Sequence, residues 1–296
     1  MKKIIYLAIL AIIIIVVIPQ AVTCQSRADS EHSSFRVCLK RLAGRDNEPP
    51  PPELKPEHTI RLLEGWSIND MANYFENEDI FKRDDFISAT KLESYEDDLI
   101  SRFSFLEDKP EEVDLQGYLY PDTYRIFTDA SANSVVLRML ENFDNKLTAE
   151  MREEIENQGK SIYEILTMAS LIEKEAPINY QTGDNYDAKM ISGIFWQRIE
   201  NRQALQSCAT LAYILGENKE RYSQADTRIE SPYNTYLNPG LPPGPITNPG
   251  ILAIEAAIYP ESNQYNYFLT PSGTRDVIYS RTHNEHVLNK DKYLNN

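Results

Sequence analysis

The stretch Leu166–Asn179, LTMASLIEKEAPIN, sets two carboxylates, Glu173 and Glu175, directly behind a run of residues suited to a helix packed in a core. Taken as a helix at 100° per residue, Ile165, Ala169, Ile172 and Ala176 line one face. Glu173 and Glu175 fall on its two flanks, and Lys174 points outside. A carboxyl at the margin of an apolar face has its ionised form disfavoured, so its pKa rises toward neutrality and it can donate a proton to a leaving oxygen. Charges beside a core stripe also serve simply to solvate a helix edge, and periodicity does not separate the two uses. Asp226, Glu230 and Glu255 could complete a two-carboxylate site, although each also has an ordinary surface reading.

The elements that must hold this pair read as α+β. Thr59–Leu63 has strand character, Glu64-Gly65 turns the chain, and Ser67 caps a helix with Asp70 three residues on. Ile68, Met71, Ala72 and Phe75 form the apolar stripe of that helix. Strand, tight turn and helix in this order fit the opening of a LysM-like module and, for this stretch alone, equally an arbitrary βα unit. Further helices are expected over residues 134–145, 162–176, 188–201 and 251–258, and Gln264–Ser280 reads as two strands joined at Pro271-Ser272-Gly273. Between them lies SPYNTYLNPGLPPGPITNPG, Ser231–Gly250, with six prolines and three glycines in twenty residues, which excludes helix and central strand. Its Tyr233, Tyr236 and Leu241 mark it as an ordered loop that shapes a surface.

Composition narrows the partners. Lys+Arg 30 against Asp+Glu 45 gives a net charge of −15, which repels phosphate backbones and argues against nucleic acid. Lys2 and Lys3 precede an unbroken apolar run, Ile4–Ile18, of 15 residues. That is near the top of a signal-peptide core and just short of the roughly 17 to 25 residues of a spanning helix. The charge placement leaves the N-terminus in the cytoplasm and the chain from about residue 25 outside it. Cys24, Cys38 and Cys208 are odd in number and show no C-x-x-C spacing, so no metal or redox motif follows, and Thr23 fits poorly with a lipoprotein site at Cys24. The His283/His286 pair lacks the spacing of H-E-x-x-H. Glu48–Pro56, EPPPPELKP, reads as a stiff extended spacer.

Taken in order, LLEGWSINDMA, LQGYLYPDTY, MASLIEKEA, ISGIFWQRI, LQSCATLAYILG and SPYNTYLNPGLPPGPITNPG resemble the landmarks of the YceG-like endolytic murein transglycosylases, from about Thr59 to the C-terminus. The long proline loop is the most specific of them. The resemblance implies a membrane helix or signal over 1–23, a polar and Pro-rich linker over 24–56, a LysM-like module over 57–100 and a mixed α/β catalytic domain over 101–296. It implies a cell-membrane protein with its working part outside the cytoplasm, acting without a cofactor on peptidoglycan glycan strands, with wall-synthesis enzymes as partners. The enzyme would cut between N-acetylmuramic acid and N-acetylglucosamine and leave a 1,6-anhydro end. A non-catalytic wall-binding scaffold and a muramidase-type hydrolase are the alternatives.

By the same resemblance the catalytic glutamate is the first of EKE, Glu173, with Glu175 a neighbour that tunes, positions or merely solvates. Gln206, Thr210, Tyr213, Ser231, Tyr233, Asn234 and Tyr236 would line the groove, with Gly240, Pro242 and Pro243 shaping it. Three departures from the pattern bear on activity: Gln116 stands for a usual glutamate, Gln197 for asparagine, and Cys208-Ala209 for Asp-Pro.

Overall fold

The computed structural model describes residues 55–95, 99–219, 221–271 and 273–294. The expected anchor or signal over 1–23 and the spacer up to residue 54 lie outside these residues. Among the described residues no helix is long and apolar enough to cross a membrane.

Strand β1 (Glu57–Arg61) pairs antiparallel with β2 (Thr123–Phe127), with Ile60 opposite Tyr124. Between them run α1 (Ile68–Asn77), α2 (Arg83–Ala89) and the short α3 (Leu99–Arg102). Helix α1 starts where the sequence expects. The Ser67 hydroxyl accepts the Asp70 N–H while the Asp70 carboxylate accepts the Ser67 N–H, so two otherwise unpaired donors are satisfied reciprocally. Its buried residues are the expected stripe, and Phe75 meets the Phe86 ring of α2 at 4.6 Å. Because β1 takes its partner from Thr123–Phe127, this strand–helix–helix–strand piece closes well beyond residue 100. Leu62, Phe75, Tyr118 and Leu166 then share one apolar core, and Pro56–Asn296 is one compact unit.

Helices α4 (Ala132–Lys146), α5 (Ala149–Asn157), α6 (Ile162–Glu175), α7 (Tyr186–Glu200), α8 (Cys208–Leu215) and α9 (Ile251–Ile258) follow. The antiparallel pair β3 (Tyr267–Leu269) and β4 (Ile278–Ser280) precedes α10 (His283–Leu294), on which His286 lies flat against Tyr267 at 5.1 Å. The whole is a mixed α+β fold.

Helix α6 is the axis of the structure. Every residue from Ile165 to Ile172 is buried, because α5, α7, α8 and α9 pack around it. This differs from the one-faced helix that the apolar spacing suggested. Thr167 and Ser170 can be enclosed because their hydroxyls donate to the carbonyls of Tyr163 and Thr167 one turn back, at 2.8 and 2.7 Å.

The proline loop runs back along α6 and is pinned at three levels. The Tyr163 hydroxyl donates to the Pro243 carbonyl at 2.8 Å, the Ile246 N–H donates to the Ser170 hydroxyl at 3.0 Å, and the Gly250 N–H donates to Glu173 at 3.0 Å. Gly244 is a necessity of the first level, since a methyl group there would lie 2.2 Å from the Tyr163 oxygen. Asn248 joins the loop to two others. Its Oδ1 accepts the N–H groups of Gly117 and Leu119, and its Nδ2 donates to the Trp66 carbonyl.

Candidate active site

The last turn of α6 delivers both carboxylates of EKE, and each meets different neighbours. Glu173 Oε2 accepts the Tyr180 hydroxyl at 2.5 Å and the Gly250 N–H, the residue that opens α9. Burial pushes the Glu173 carboxyl up to about 7. The two hydrogen bonds and Lys174 pull the other way, and the Glu64 carboxylate pushes with burial. The fit is close: a methyl on Gly250 would lie 2.5 Å from the Tyr180 oxygen and 2.6 Å from Glu64 Cγ. Gly65, at φ +76°, would bring a methyl to 3.3 Å from Glu173 Cγ. Glu173 keeps partial solvent access, and beside it Glu64 and Tyr180 line a cleft of about 380 Å³.

Glu175 emerges toward the start of α8. Its Oε1 accepts the Ser207 hydroxyl at 2.6 Å and the Ala209 N–H at 3.3 Å, and the Cys208 N–H donates to the same carboxylate. Burial again pushes the carboxyl up, while these donors and the Arg198 cation draw it down. Amides at a helix N-terminus favour negative charge, so Glu175 sits where a carboxylate is stabilised once it has lost its proton. The approach to that helix is braced. Arg198 is buried and donates to the carbonyls of Leu205 and Asn266 at 2.5 and 2.6 Å. Gln206 follows at φ +53°, a left-handed conformation uncommon for its type, held by its N–H on the Thr235 carbonyl. Thr235 also accepts the Ser207 N–H at 3.1 Å and shares a hydrogen bond with Thr210 at 3.0 Å.

The candidate groove residues divide into three groups. Gln206 and Tyr236 adjoin Glu175: Gln206 is exposed, and the Tyr236 hydroxyl lies 3.2 Å from Cys208 Sγ, with burial pushing both groups up. Tyr213 and Tyr233 meet at 4.8 Å, tilted by 44°, near Tyr163, so they stand toward the opposite end of α6, about 15 Å along its axis from Glu173. Thr210 and Asn234 are fully buried and present no polar atom to a groove. Thr210 donates to the Ser207 carbonyl, and the Asn234 amide is consumed by Thr227, Ile229 and Tyr236 inside the loop. Their part is to hold the loop in shape, because a polar group enclosed this way must spend its hydrogen bonds on its own walls. Ser231 accepts the Tyr233 N–H and starts the same turn; Gly240 takes φ +99°, Pro242 is buried and Pro243 exposed.

Several participants had weak sequence signals or none. Tyr180, Glu64 and Gly250 reach Glu173 from three separate segments, whereas Ser207 reaches Glu175 and is itself held by Thr235 of the proline loop. Of these only Tyr180 lies outside the stretches already singled out, although neither the turn at Glu64 nor the end of the proline loop at Gly250 pointed to Glu173. The remaining acids do not complete a pair: Asp226 is tied to Lys219 and Ser223, which hold it down to about 2, Glu230 is exposed, and Glu255 lies by Asn185. Of the departures, Gln116 is structural. Its Oε1 accepts the Ile68 N–H at 2.7 Å and its Nε2 donates to the Ile246 carbonyl at 2.8 Å, a donation no carboxylate could make. Gln197 lines a separate cleft with Trp196 and Glu261.

These features agree with the comparisons. A Bacillus subtilis protein named endolytic murein transglycosylase is 34% identical over 229 residues, which are 77% of this chain and 61% of that one. A Streptococcus pneumoniae protein of the same name is 28% identical over 274 residues, 87% of this chain and 48% of that one. The chain therefore spans about half to three fifths of the length of these relatives. The crystal structure of a YceG-like protein from Listeria monocytogenes superposes with a TM-score of 0.69 at 33% identity, covering 86% of this chain and 80% of that one. With the pattern of the YceG-like family matched across residues 31–292, the chain belongs to that family.

Proposed function

We propose that the chain is a lytic transglycosylase that cuts peptidoglycan glycan strands internally and leaves 1,6-anhydromuramic ends. It would do so outside the cytoplasm, held at the cell membrane by its N-terminal segment, with the β1–α1–α2–β2 piece a LysM-like contact to the wall and with wall-synthesis enzymes as neighbours. The reading is carried by one observation beyond family membership: the last turn of α6 offers two partly accessible carboxyls that burial pushes up, that of Glu173 to about 7. Such a group gives its proton to the leaving glycosidic oxygen as the bond to the muramic C1 breaks. The muramic 6-hydroxyl then closes on C1, and the carboxylate takes the hydroxyl proton, so the group ends as it began and no water is consumed. A second carboxylate, as a hydrolase requires, is not needed.

Two assignments of that group follow. In the first, Glu173 is the donor, as the family motif implies, and its pKa near 7 supplies the proton. In the second, Glu175 is the donor and Glu173 braces the wall. A specific observation favours this second assignment: LQSCAT and SPYNTY converge on Glu175, through Ser207, Thr235 and Tyr236, and not on Glu173.

The test of the activity is product mass. Purified glycan strands incubated with the protein are expected to give fragments ending in anhydromuramic acid, lighter by one water than hydrolysed ends. Reducing ends would replace the reading with a muramidase, and uncut strands that still bind would replace it with a scaffold.

A further inference from the structure

Helix α10 reaches the Glu175 side from a part of the chain that no motif tied to the site. It is docked by His286, flat on Tyr267, and by the Asn289 amide, which donates to the Ser280 hydroxyl at 2.9 Å. The same Tyr267 ring carries the Arg198 guanidinium at 5.6 Å, and Arg198 holds the Leu205 carbonyl just ahead of α8. One turn beyond His286, on the same face of α10, stands Lys290. Its charge acts on Cys208, the first residue of α8. Burial pushes that thiol up and the Glu175 carboxylate adds to it, while the Tyr236 hydroxyl and the Lys290 cation draw it down.

This cation is exposed and uncompensated. Among the described residues Lys290 makes no hydrogen bond and no ion pair. The carboxylates around it are engaged elsewhere: Glu175 accepts the Ser207 hydroxyl and the Ala209 N–H, and Glu285 accepts the Arg281 N–H. Cys208 stands where the family pattern has the aspartate of Asp-Pro, so the thiol removes the carboxylate that this position would set against Lys290. What remains is an ammonium beside the Cys208–Tyr236 contact, at the mouth of the Glu175 side. A chain of net charge −15 repels anions at long range and holds one only where a local cation outweighs that field. A compact ammonium with three donors suits a small anion, and a carboxylate is the one that a muramic unit offers.

We propose that Lys290 is a specificity-determining residue of this site, taking a carboxylate carried on the lactyl arm of the muramic unit, and that Cys208 leaves it available for that anion. The choice of ligand rests on the glycan-cleaving reading above; the uncompensated cation beside Cys208 does not. On bare strands the carboxylate is the lactyl group's own, and on peptide-bearing strands it belongs to the peptide. Full-length protein in detergent micelles is assayed with both kinds of strand and with counterparts whose carboxylates have been converted to methylamides. For the strands that supply the anion, KM is expected to be about ten-fold lower with carboxylates than with methylamides. Lys290→Ala and Cys208→Asp are expected to close that gap, the second by setting a carboxylate against Lys290, and Lys290→Arg is expected to keep it. A gap with bare strands assigns the lactyl group, and a gap with peptide-bearing strands alone assigns the peptide. No gap with either kind, or a gap that survives in Lys290→Ala, overturns the assignment and leaves the cleavage reading intact. If the wild type cuts no strand, the cleavage reading fails by itself, and the same gap, present or absent, is read from affinities by titration calorimetry.

Discussion

Glu173 and Glu175 stand two residues apart on one helical turn, and burial is the largest influence on both, yet they are held in unlike ways. The Glu173 side is built from a tyrosine hydroxyl and the single amide that opens α9, two donors that favour the anion, set against burial and a nearby like charge, Glu64. The Glu175 side is built from the free donors at the start of a helix together with a buried arginine. A group that must release a proton and then survive as a carboxylate profits from the second arrangement; a group that mainly keeps a proton profits from the first. Neighbours in sequence thus acquire different chemistry from the elements that come to meet them.

The most direct way to break this comparison is to neutralise each side. Glu175→Gln is expected to lose cleavage of glycan strands by about a thousand-fold or more, near 4 kcal/mol of barrier, while Glu173→Gln keeps measurable turnover. The reverse order, in a single-turnover assay with folded protein, would return the donor role to Glu173.

A smaller effect is expected from loosening one wall at a time. Asn248→Ala leaves the buried N–H groups of Gly117 and Leu119 without their acceptor on the Glu173 side, while the Trp66 carbonyl keeps the backbone N–H of residue 248. At about 1–3 kcal/mol for each buried group left unsatisfied, a loss of roughly 3 kcal/mol is expected in urea unfolding. Thr235→Val, isosteric and on the Glu175 side, forfeits its bonds with Ser207 and Thr210 and is expected to cost about half as much while reducing turnover more. Equal effects of the two variants on turnover would show that the sides are not distinct.

What the sequence disclosed was mainly local. The capping box at Ser67, the stripe Ile68–Phe75 and the helix over Ile251–Ile258 depend on neighbours within one or two turns, and they stand as read. The sheet partner of β1 and the enclosure of α6 depend on chain folded back from far away. For α6, the apolar spacing shows one face, whereas Thr167 and Ser170 on another are buried because their hydroxyls are satisfied within the helix. The site divides in the same way. Its motifs were visible, but which carboxylate they surround was not, since Ser207 and Tyr180 approach the same turn from opposite sides and no spacing along the chain encodes that. Asn234 and Thr210 carry the residue types of a sugar-binding groove and spend them on the loop itself.

Stability against pH sharpens the contrast at the next level down. Glu173 in the folded chain holds its proton up to about 7, against 4.5 for a free glutamate side chain, so the folded state binds more protons between these values and stability falls as pH rises through that window. Glu173→Gln removes the buried charge and is expected to gain about 1–3 kcal/mol over wild type at pH 8, with the gain absent at pH 4, each pKa unit being about 1.4 kcal/mol. A gain independent of pH in paired urea titrations would mean that packing, and not charge, is responsible.

The smallest expected effect is the most discriminating. Tyr180→Phe deletes one hydroxyl and keeps the ring, so it removes a hydrogen bond that favours ionised Glu173 while burial and the Glu64 charge remain. The Glu173 titration, followed through its ¹³C carboxyl resonance, should therefore move upward from about 7, by up to about one unit. The alkaline limb of the pH–rate profile should follow that shift if Glu173 gives the proton and stay in place if Glu175 does. An unmoved resonance would show that the hydroxyl contributes nothing to the carboxyl, and the Glu173 side would then be set by enclosure alone.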